Sequence, residues 1–329
     1  MLFKIFTKSL SQVSGKIPLR VVLVVPFLIQ VVGAVGLVGY LSFRNGQKAV
    51  NNLANQFLSE VNSRIEEQID HYLDVPRKVQ EMNLRSIEAG TLNVADFKMT
   101  GKVFWNQLQA FGFTYLAYTN YSGLKAQESI GAGIFQGKSE ISWTVKENPN
   151  DLFYIAPDRV GNPKSGVKID KGEGGNKILN NPTNLEIIAA GKTIWTAIYT
   201  WQTDTQEISI VLGSPIYNNA RQLQGLLSID ISLTQISSFL HNLRIGQTGK
   251  AFIMERSGKL VATSSNQLSF ALINQQAKQI LATESTDRPI ASAANYLVKN
   301  VNGLQTVRKT RQFSYINQGQ RQFLLVTPY

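Results

Sequence analysis

The feature that most constrains this chain is an uncharged apolar run near its N-terminus, VVLVVPFLIQVVGAVGLVGYL, at residues 21–41. At a rise of about 1.5 Å per residue, a helix of this length spans roughly 31 Å, the thickness of a hydrocarbon core. A cleaved signal peptide is the alternative, but its apolar region is normally about 7–15 residues long and precedes a small-x-small cleavage site. This run is longer and ends in YLSFRNG. The sequence therefore predicts a transmembrane helix over residues 21–43.

The charges before this run predict its orientation. Four basic residues and no acidic residue precede it, namely Lys4, Lys8, Lys16 and Arg20. Positive charge beside a membrane helix marks the cytoplasmic side. We therefore expect a cytoplasmic tail over residues 1–20 and a single pass through the plasma (inner) membrane. The main domain, after Arg44, is expected to be extracytoplasmic or periplasmic.

The residues after the apolar run have the periodicity of an amphipathic helix, which we expect over residues 44–90 as a stalk. Pro76 is expected to interrupt or kink this helix and Gly90 to end it. The apolar stripe fits two arrangements equally well: packing on the chain's own domain, or pairing with a second subunit. That subunit would be a second copy in a homodimer, or a related full-length receptor in a heteromer. The stripe comprises Val50, Leu53, Phe57, Val61, Ile65, Ile69 and Tyr72.

Beyond residue 110 the pattern changes to alternating, β-rich segments. Strands are expected at FTYLAYTN and ISWTV. The polar stretch over residues 147–184 is rich in Gly, Asn, Pro and Lys, so we expect loops there that cover a ligand. Three consecutive β-type runs follow, which predict an antiparallel meander. They lie at residues 193–201, 207–217 and 223–232.

A short helical segment, LTQISSFLHNLRI, separates this region from a second β region. In the second region, Gly258 and Gly319 mark the turns of two hairpins, and residues 268–282 are expected to be helical. Strand-turn-strand units with glycine thus occur in both halves, which suggests two copies of one fold. We expect one lobe over residues 91–245 and a second over residues 246–329.

Asp230 is the first candidate for a ligand contact. It lies inside the apolar strand LLSIDIS, where an isolated buried carboxylate is costly, so it is expected to face a pocket, a cation or hydrogen-bond donors. The alternative is a strand residue that points outward to water. Trp195, Tyr199 and Trp201 alternate along one expected strand, so we expect all three on one face, either lining an apolar pocket or in ordinary packing. Tyr118 is a weaker candidate on the first expected strand.

Composition argues against several function classes. The chain has no cysteine and two histidines, His71 and His241, in no metal-binding pattern, so no metal and no cofactor are expected. The net charge is +11 but forms no dense basic stripe, so no nucleic-acid partner is expected. Neither a Walker-type phosphate loop nor a G-x-S-x-G elbow occurs. We therefore expect no enzyme; an extracytoplasmic hydrolase, the least favoured function, would need a nucleophile–base pair that the sequence does not show.

The order of stalk, β region, connecting helix and second β region resembles the double-Cache sensor domain of bacterial transmembrane receptors. The matching segments are IWTAIY, ISIVLGSPIYNNARQLQGLLSIDISLTQISSFL and IGQTGKAFIMERSGKLVATSS. The sequences of these segments are most similar to those of cyanobacterial receptors whose cytoplasmic part is a nucleotide cyclase or a histidine kinase. The resemblance implies an α+β fold, with two PAS-like antiparallel-sheet lobes on one long N-terminal helix. It also implies a module that senses small molecules outside the membrane.

The chain departs from this family at two places. Amino-acid-binding members carry an R-x-W-Y run before a segment that ends in A-G-K; here residues 181–184 read NPTN and residues 189–192 read AAGK. The arginine that clamps a carboxylate is therefore missing, while Asp230 matches the aspartate that takes the ligand amine. Relatives also continue beyond the position of Tyr329 into a second membrane helix and an output domain. We therefore expect an incomplete second lobe and no output domain; the alternative is a truncated or decayed receptor without autonomous signalling.

Overall fold

The computed structural model describes residues 18–135, 137–200, 208–246, 248–273, 276–301 and 304–329. The fold class is α+β, as expected: one long N-terminal helix precedes a series of antiparallel β-sheets. The chain divides into two compact units, one ending at Glu60 and the other running from Val61 to Tyr329. The two expected lobes after residue 90 thus belong to one unit, and the boundary between them stays a prediction.

Helix α1 runs from Leu19 to Glu88, a length of 70 residues. Its N-terminal part is long and apolar enough to cross a membrane, and its most apolar stretch is entirely unburied. The expected membrane helix and stalk are therefore parts of one helix. The helix continues past Pro76, so the expected interruption is wrong there, while the alternative of a kink stays a prediction. Gly90 follows the helix end with a φ of 76°, the left-handed conformation that commonly ends helices.

A nine-stranded antiparallel sheet forms the centre of the second unit, in the order β5-β4-β3-β2-β1-β9-β8-β6, with β7 also paired to β8. The predicted meander is confirmed, because β6 and β7 pair with β8 and β8 pairs with β9. The strands are β1 (Tyr115–Ser122), β2 (Lys125–Phe135), β3 (Lys138–Val145), β4 (Asn148–Ile155), β5 (Lys168–Asp170), β6 (Ile194–Trp195), β7 (Tyr199–Thr200), β8 (Ile208–Tyr217) and β9 (Leu223–Ser232).

The polar stretch over residues 147–184 is more ordered than expected. It contains β4 and β5, helix α3 (Gly174–Leu179) and the start of helix α4 (Pro182–Ala190). The short apolar run LFYI gives β4 its pairing with β3, and the ring of Phe153 stacks on that of Trp143 with centroids 6.0 Å apart. The prediction of loops was wrong here because a few apolar residues decide strand pairing even where polar residues are more numerous.

One face of the sheet is apolar and packs on helices. Helix α2 spans Phe97–Phe111. Its N-cap is Asp96, whose side chain accepts a hydrogen bond from Met99 N, and its C-cap is Gly112 in the left-handed conformation. Its buried side chains pack with the C-terminal part of α1 against the strands. This core contains Val79, Phe104, Trp105, Leu108, Leu116, Tyr118, Ile130, Leu227 and Ile229.

The region after β9 contains short elements. Helix α5 (Leu233–Asn242) confirms the predicted connecting helix, and the two predicted hairpins are confirmed as β10–β11 and β14–β15. Among the described strands, these hairpins and β12–β13 form separate two-stranded sheets. The bounds are β10 (Phe252–Met254), β11 (Leu260–Thr263), β12 (Phe270–Ile273), β13 (Gln276–Gln279), helix α6 (Arg288–Asn300), β14 (Arg311–Asn317) and β15 (Gln320–Val326), with 3₁₀ turns at Ala282–Glu284 and Leu304–Thr306.

The helix predicted over residues 268–282 is wrong, because β12 and β13 occupy this segment. Its Ala, Leu, Gln and Lys residues favour helix, but tertiary pairing overrides that preference. Leu260 N donates to Ile280 O at 2.8 Å, and Ile280 N donates to Ser269 O at 3.1 Å. The segment is therefore held in an extended conformation beside β11.

Candidate functional site

The face of the main sheet opposite α1 and α2 borders a cavity of about 620 Å³. Its walls come from β1, β7, β8 and β9, from the α3–α4 segment, and from β13. Directly opposed residues on neighbouring strands point to the same face. Tyr115, Asp230 and Val211 are opposed in this way across β1, β9 and β8, and all three line the cavity.

Asp230 lies on the floor of this cavity and is only 3% exposed. The hydroxyl of Tyr199 donates a hydrogen bond to its Oδ2 atom. Burial, followed by the negative charge of Asp230 and its hydrogen bond, raises the pKa of Tyr199 well above its ordinary value. Tyr199 therefore stays protonated and acts as a donor to the carboxylate. The outward-facing alternative for Asp230 is excluded by its burial.

Tyr115 forms the adjoining part of the floor. Burial raises the pKa of its hydroxyl, which lies 3.4 Å from Ser142 Oγ. The ring occupies space that only glycine leaves open on the neighbouring strand: a Cβ at Gly131 would lie 2.1 Å from Tyr115 Oη. This part of the floor therefore requires both the large side chain of Tyr115 on β1 and the lack of a side chain at Gly131 on β2.

The α3–α4 segment brings polar side chains over the strands. The side chain of Asn181 caps α4 by accepting a hydrogen bond from Thr183 N at 3.1 Å. Helix α4 approaches the sheet closely because β8 carries a glycine there: a Cβ at Gly213 would lie 2.1 Å from Ile187 Cδ1. Residues 181–184, which the sequence resemblance aligns with an R-x-W-Y run, all line the cavity.

The last wall comes from the region that follows the main sheet. Thr200 Oγ1 donates to Ala277 O at 2.8 Å, which fixes β13 next to β7. Ala277 and Lys278 then line the cavity, together with Lys177 of α3 on another side. Both lysines are exposed, so they lie at the mouth of the cavity while Asp230 lies at its floor.

Trp195, Tyr199 and Trp201 do not share a face as a group. Trp195 lies opposite Leu212, whereas Tyr199 lies opposite Ser209. Between these two pairs, the β6–β7 segment has three residues, 196–198, whereas β8 has two, 210–211. The extra residue shifts the alternation, as in a β-bulge, and Trp195 points away from the cavity face. The prediction of a common face is wrong for Trp195 and Tyr199, and Trp201 lies outside the described residues.

Tyr118 also lies on the helix-packed face, one residue out of step with Tyr115 and Ala117. Its hydroxyl donates to Gln224 O at 3.3 Å, so it does not reach the cavity. Of the five residues singled out in the sequence, the structure therefore brings Asp230 and Tyr199 together at the cavity. Tyr115 was missed, although the same alternation that places Asp230 on an inner face would place an opposed tyrosine there.

No protein-family model matches the chain, and no curated protein matches it. Several solved structures, however, are similar to it. The chain is similar to the ligand-binding domain of the Campylobacter jejuni chemoreceptor Tlp3 in complex with 4-methylisoleucine, with 11% identity, 82% of each chain covered and a TM-score of 0.46.

Two further solved structures extend this comparison. The ligand-binding domain of Mlp24 with asparagine has 12% identity, with 82% of this chain and 87% of that chain covered, and a TM-score of 0.43. The methyl-accepting chemotaxis protein X has 15% identity, with 81% and 93% covered, and a TM-score of 0.39.

Proposed function

We propose that this chain is the small-molecule sensing module of a transmembrane signal-transduction receptor, with its ligand site in the cavity over Asp230. The observation that carries the proposal is the pairing of a cavity of about 620 Å³ with a carboxylate that is 3% exposed at its floor. Pockets for small organic ligands commonly measure about 300–1,000 Å³. A buried carboxylate is a strong acceptor for the donor group of a ligand, because charge-assisted hydrogen bonds are stronger than neutral ones.

The chemistry of the floor favours a ligand with a cationic donor group. A carboxylate accepts at about four lone-pair positions on its two oxygens, and Tyr199 is a donor to Oδ2. An ammonium group beside Asp230 would donate to the same carboxylate, and the rings of Tyr115 and Tyr199 would lie close enough to add cation–π attraction. Asp230, Tyr199 and Tyr115 are therefore the proposed ligand contacts. Trp195 and Tyr118 do not line the cavity.

The opposite face of the same strands supports a route from the cavity to α1. Gln80 of α1 is 1% exposed. Its Nε2 atom donates to Ser214 Oγ of β8 and to Leu227 O of β9, both at 2.8 Å. A shift of these strands on ligand binding would therefore pull directly on the helix.

The membrane part of the proposal rests on the apolar stretch of α1. The chain crosses the membrane once, with its N-terminus in the cytoplasm and the cavity outside. The helix segment after the span exposes Val50, Leu53 and Phe57 by 59%, 66% and 42%. Their spacing of three and four residues is that of an a/d seam, which supports pairing with a second copy or with a related receptor.

A thermal-shift screen of the full chain in lipid nanodiscs tests the ligand site. A ligand at about 100 times its Kd stabilises the folded state by about 2.7 kcal/mol, which raises Tm by roughly 5–11 °C for a domain of this size. Each hit is then repeated on Asp230→Asn, which keeps an acceptor for Tyr199 but removes the charge. The matched control is Asp170→Asn, an exposed carboxylate on β5.

We expect Asp230→Asn to weaken binding roughly ten- to 150-fold, because hydrogen bonds to a charged group contribute about 1.5–3 kcal/mol. Asp170→Asn should leave the affinity unchanged. Ligands that bind both variants as tightly as the wild type would place the binding site elsewhere and refute the proposal.

A further inference from the structure

The cavity carries charges of opposite sign at two depths. Asp230 is 3% exposed at the floor, while Lys177 and Lys278 line the cavity and are exposed at its mouth. The lysines belong to different parts of the fold, α3 and β13. Their meeting at one cavity follows from the packing and not from closeness in the sequence.

The backbone holds Lys278 at this position. Thr200 Oγ1 donates to the carbonyl of Ala277, directly before Lys278, at 2.8 Å. Ala277 itself is 5% exposed and belongs to a core cluster with Ile208 and Leu240. The strand that carries Lys278 is therefore tied to β7, which also carries Tyr199, the donor to Asp230.

We propose that the cavity selects ligands that carry a cationic and an anionic group at opposite ends of an extended skeleton. This inference rests on the proposed function and specifies the ligand class of the same site. The ammonium group binds Asp230 at the floor, and the anionic group binds Lys177 and Lys278 at the mouth. A ligand of this kind places an opposite charge beside each of these three side chains.

An α-amino acid does not satisfy this arrangement. Its two charges are one carbon apart, so its carboxylate would stay close to Asp230, where like charges repel. Residues 181–184, which also line the cavity, contain no basic residue.

Four six-carbon probes separate these requirements: ε-aminocaproate, its isomer norleucine, hexylamine and caproate. Binding to the full chain in nanodiscs is measured by titration calorimetry. We expect ε-aminocaproate to bind at least about tenfold more tightly than each of the other three, as the added interaction of a charge-assisted contact implies. Hexylamine has the ammonium group alone, caproate has the carboxylate alone, and norleucine has both at one end.

The double variant Lys177→Gln, Lys278→Gln should lose this preference. Its affinity for ε-aminocaproate should fall to that for hexylamine, which itself should not change. The control Lys146→Gln, an exposed lysine after β3, should behave as the wild type. Both lysines can be replaced without a folding defect because their side chains are exposed.

Three outcomes would overturn the inference: hexylamine binding as tightly as ε-aminocaproate, norleucine binding most tightly, or the double variant keeping the wild-type preference. Binding of none of the four probes would overturn it as well. In each case Asp230→Asn keeps the proposed function testable by itself. If hits of the wider screen still depend on Asp230, the sensing site stands and only the ligand class is wrong.

Discussion

Alkaline pH should destabilise the folded unit from Val61 to Tyr329, because its buried tyrosines resist ionisation. Burial, with a smaller contribution from Glu128, raises the pKa of Tyr118 to about 12. An unfolded tyrosine titrates at about pH 10. Between these two values the unfolded state loses its proton and the folded state keeps it. The stability that the neutral hydroxyl contributes is therefore complete below about pH 10 and is lost as the pH rises through the folded pKa.

The magnitude follows from the size of the shift. Tyr118 is 6% exposed as a residue, but its hydroxyl is only partly buried, so solvent screening reduces the effect. A rise from 10.0 to about 12 therefore corresponds to at most about 2.7 kcal/mol, at about 1.36 kcal/mol per pKa unit. Burial raises the pKa of Tyr115 and of Tyr199 as well, so their contributions have the same sign.

Urea unfolding of the full chain in nanodiscs at about pH 8, 10 and 11 measures this loss. Tyr118→Phe keeps the ring in the core and removes the titrating group. The free energy of unfolding of this variant should fall less steeply above about pH 10, by up to about 1.4 kcal/mol per pH unit. Identical slopes for the wild type and the variant would show that Tyr118 does not titrate with a raised pKa.

The remaining predictions concern topology, assembly and the cavity floor. A reporter enzyme that is active only outside the cytoplasm should be active when fused after Lys250; activity of a cytoplasm-only reporter there would reverse the orientation. Because the chain has no cysteine, Leu53→Cys should crosslink two copies in membranes, and Asn55→Cys, on the opposite side of the helix, should not; equal crosslinking would exclude the seam. Gly131→Ala should displace Tyr115 and cost about 1–3 kcal/mol of stability, measured by urea unfolding; an unchanged midpoint would mean that the ring moves freely.

Much of the architecture follows from local sequence patterns. The long apolar run, the meander and the connecting helix can each be predicted from the pattern of their own residues. For example, Ser232 caps α5 by accepting a hydrogen bond from Thr234 N at 3.1 Å, directly after the alternating strand β9. The terminal hairpin is equally local, since Gln318 and Gly319 both adopt positive φ values, 51° and 78°, as a tight hairpin turn requires. Such elements need no information from distant parts of the chain.

The cavity needed information that no local pattern contains. Asp230 was found because an acidic residue in an apolar strand is unusual, and Tyr199 because aromatic residues alternate around it. The failure for Trp195 has a definite cause: one extra residue between it and Tyr199 reverses the side-chain alternation, and a sequence pattern of period two has no means of showing it. Lys278 was missed because β13 reaches the cavity through a contact with Thr200 that spans 77 positions.

The alternation of β9 also connects the proposed binding site to α1. Asp230 faces the cavity, and its neighbour Ile229, 0% exposed, faces the core with α1 and α2. Because protein interiors are close-packed, a displacement of the strand that brings Asp230 toward a ligand must move Ile229 against that core. Leu227, whose carbonyl accepts from Gln80, lies on the same strand and moves with it. Under the proposed function, a ligand bound to Asp230 would therefore act on the helix through strand β9 itself.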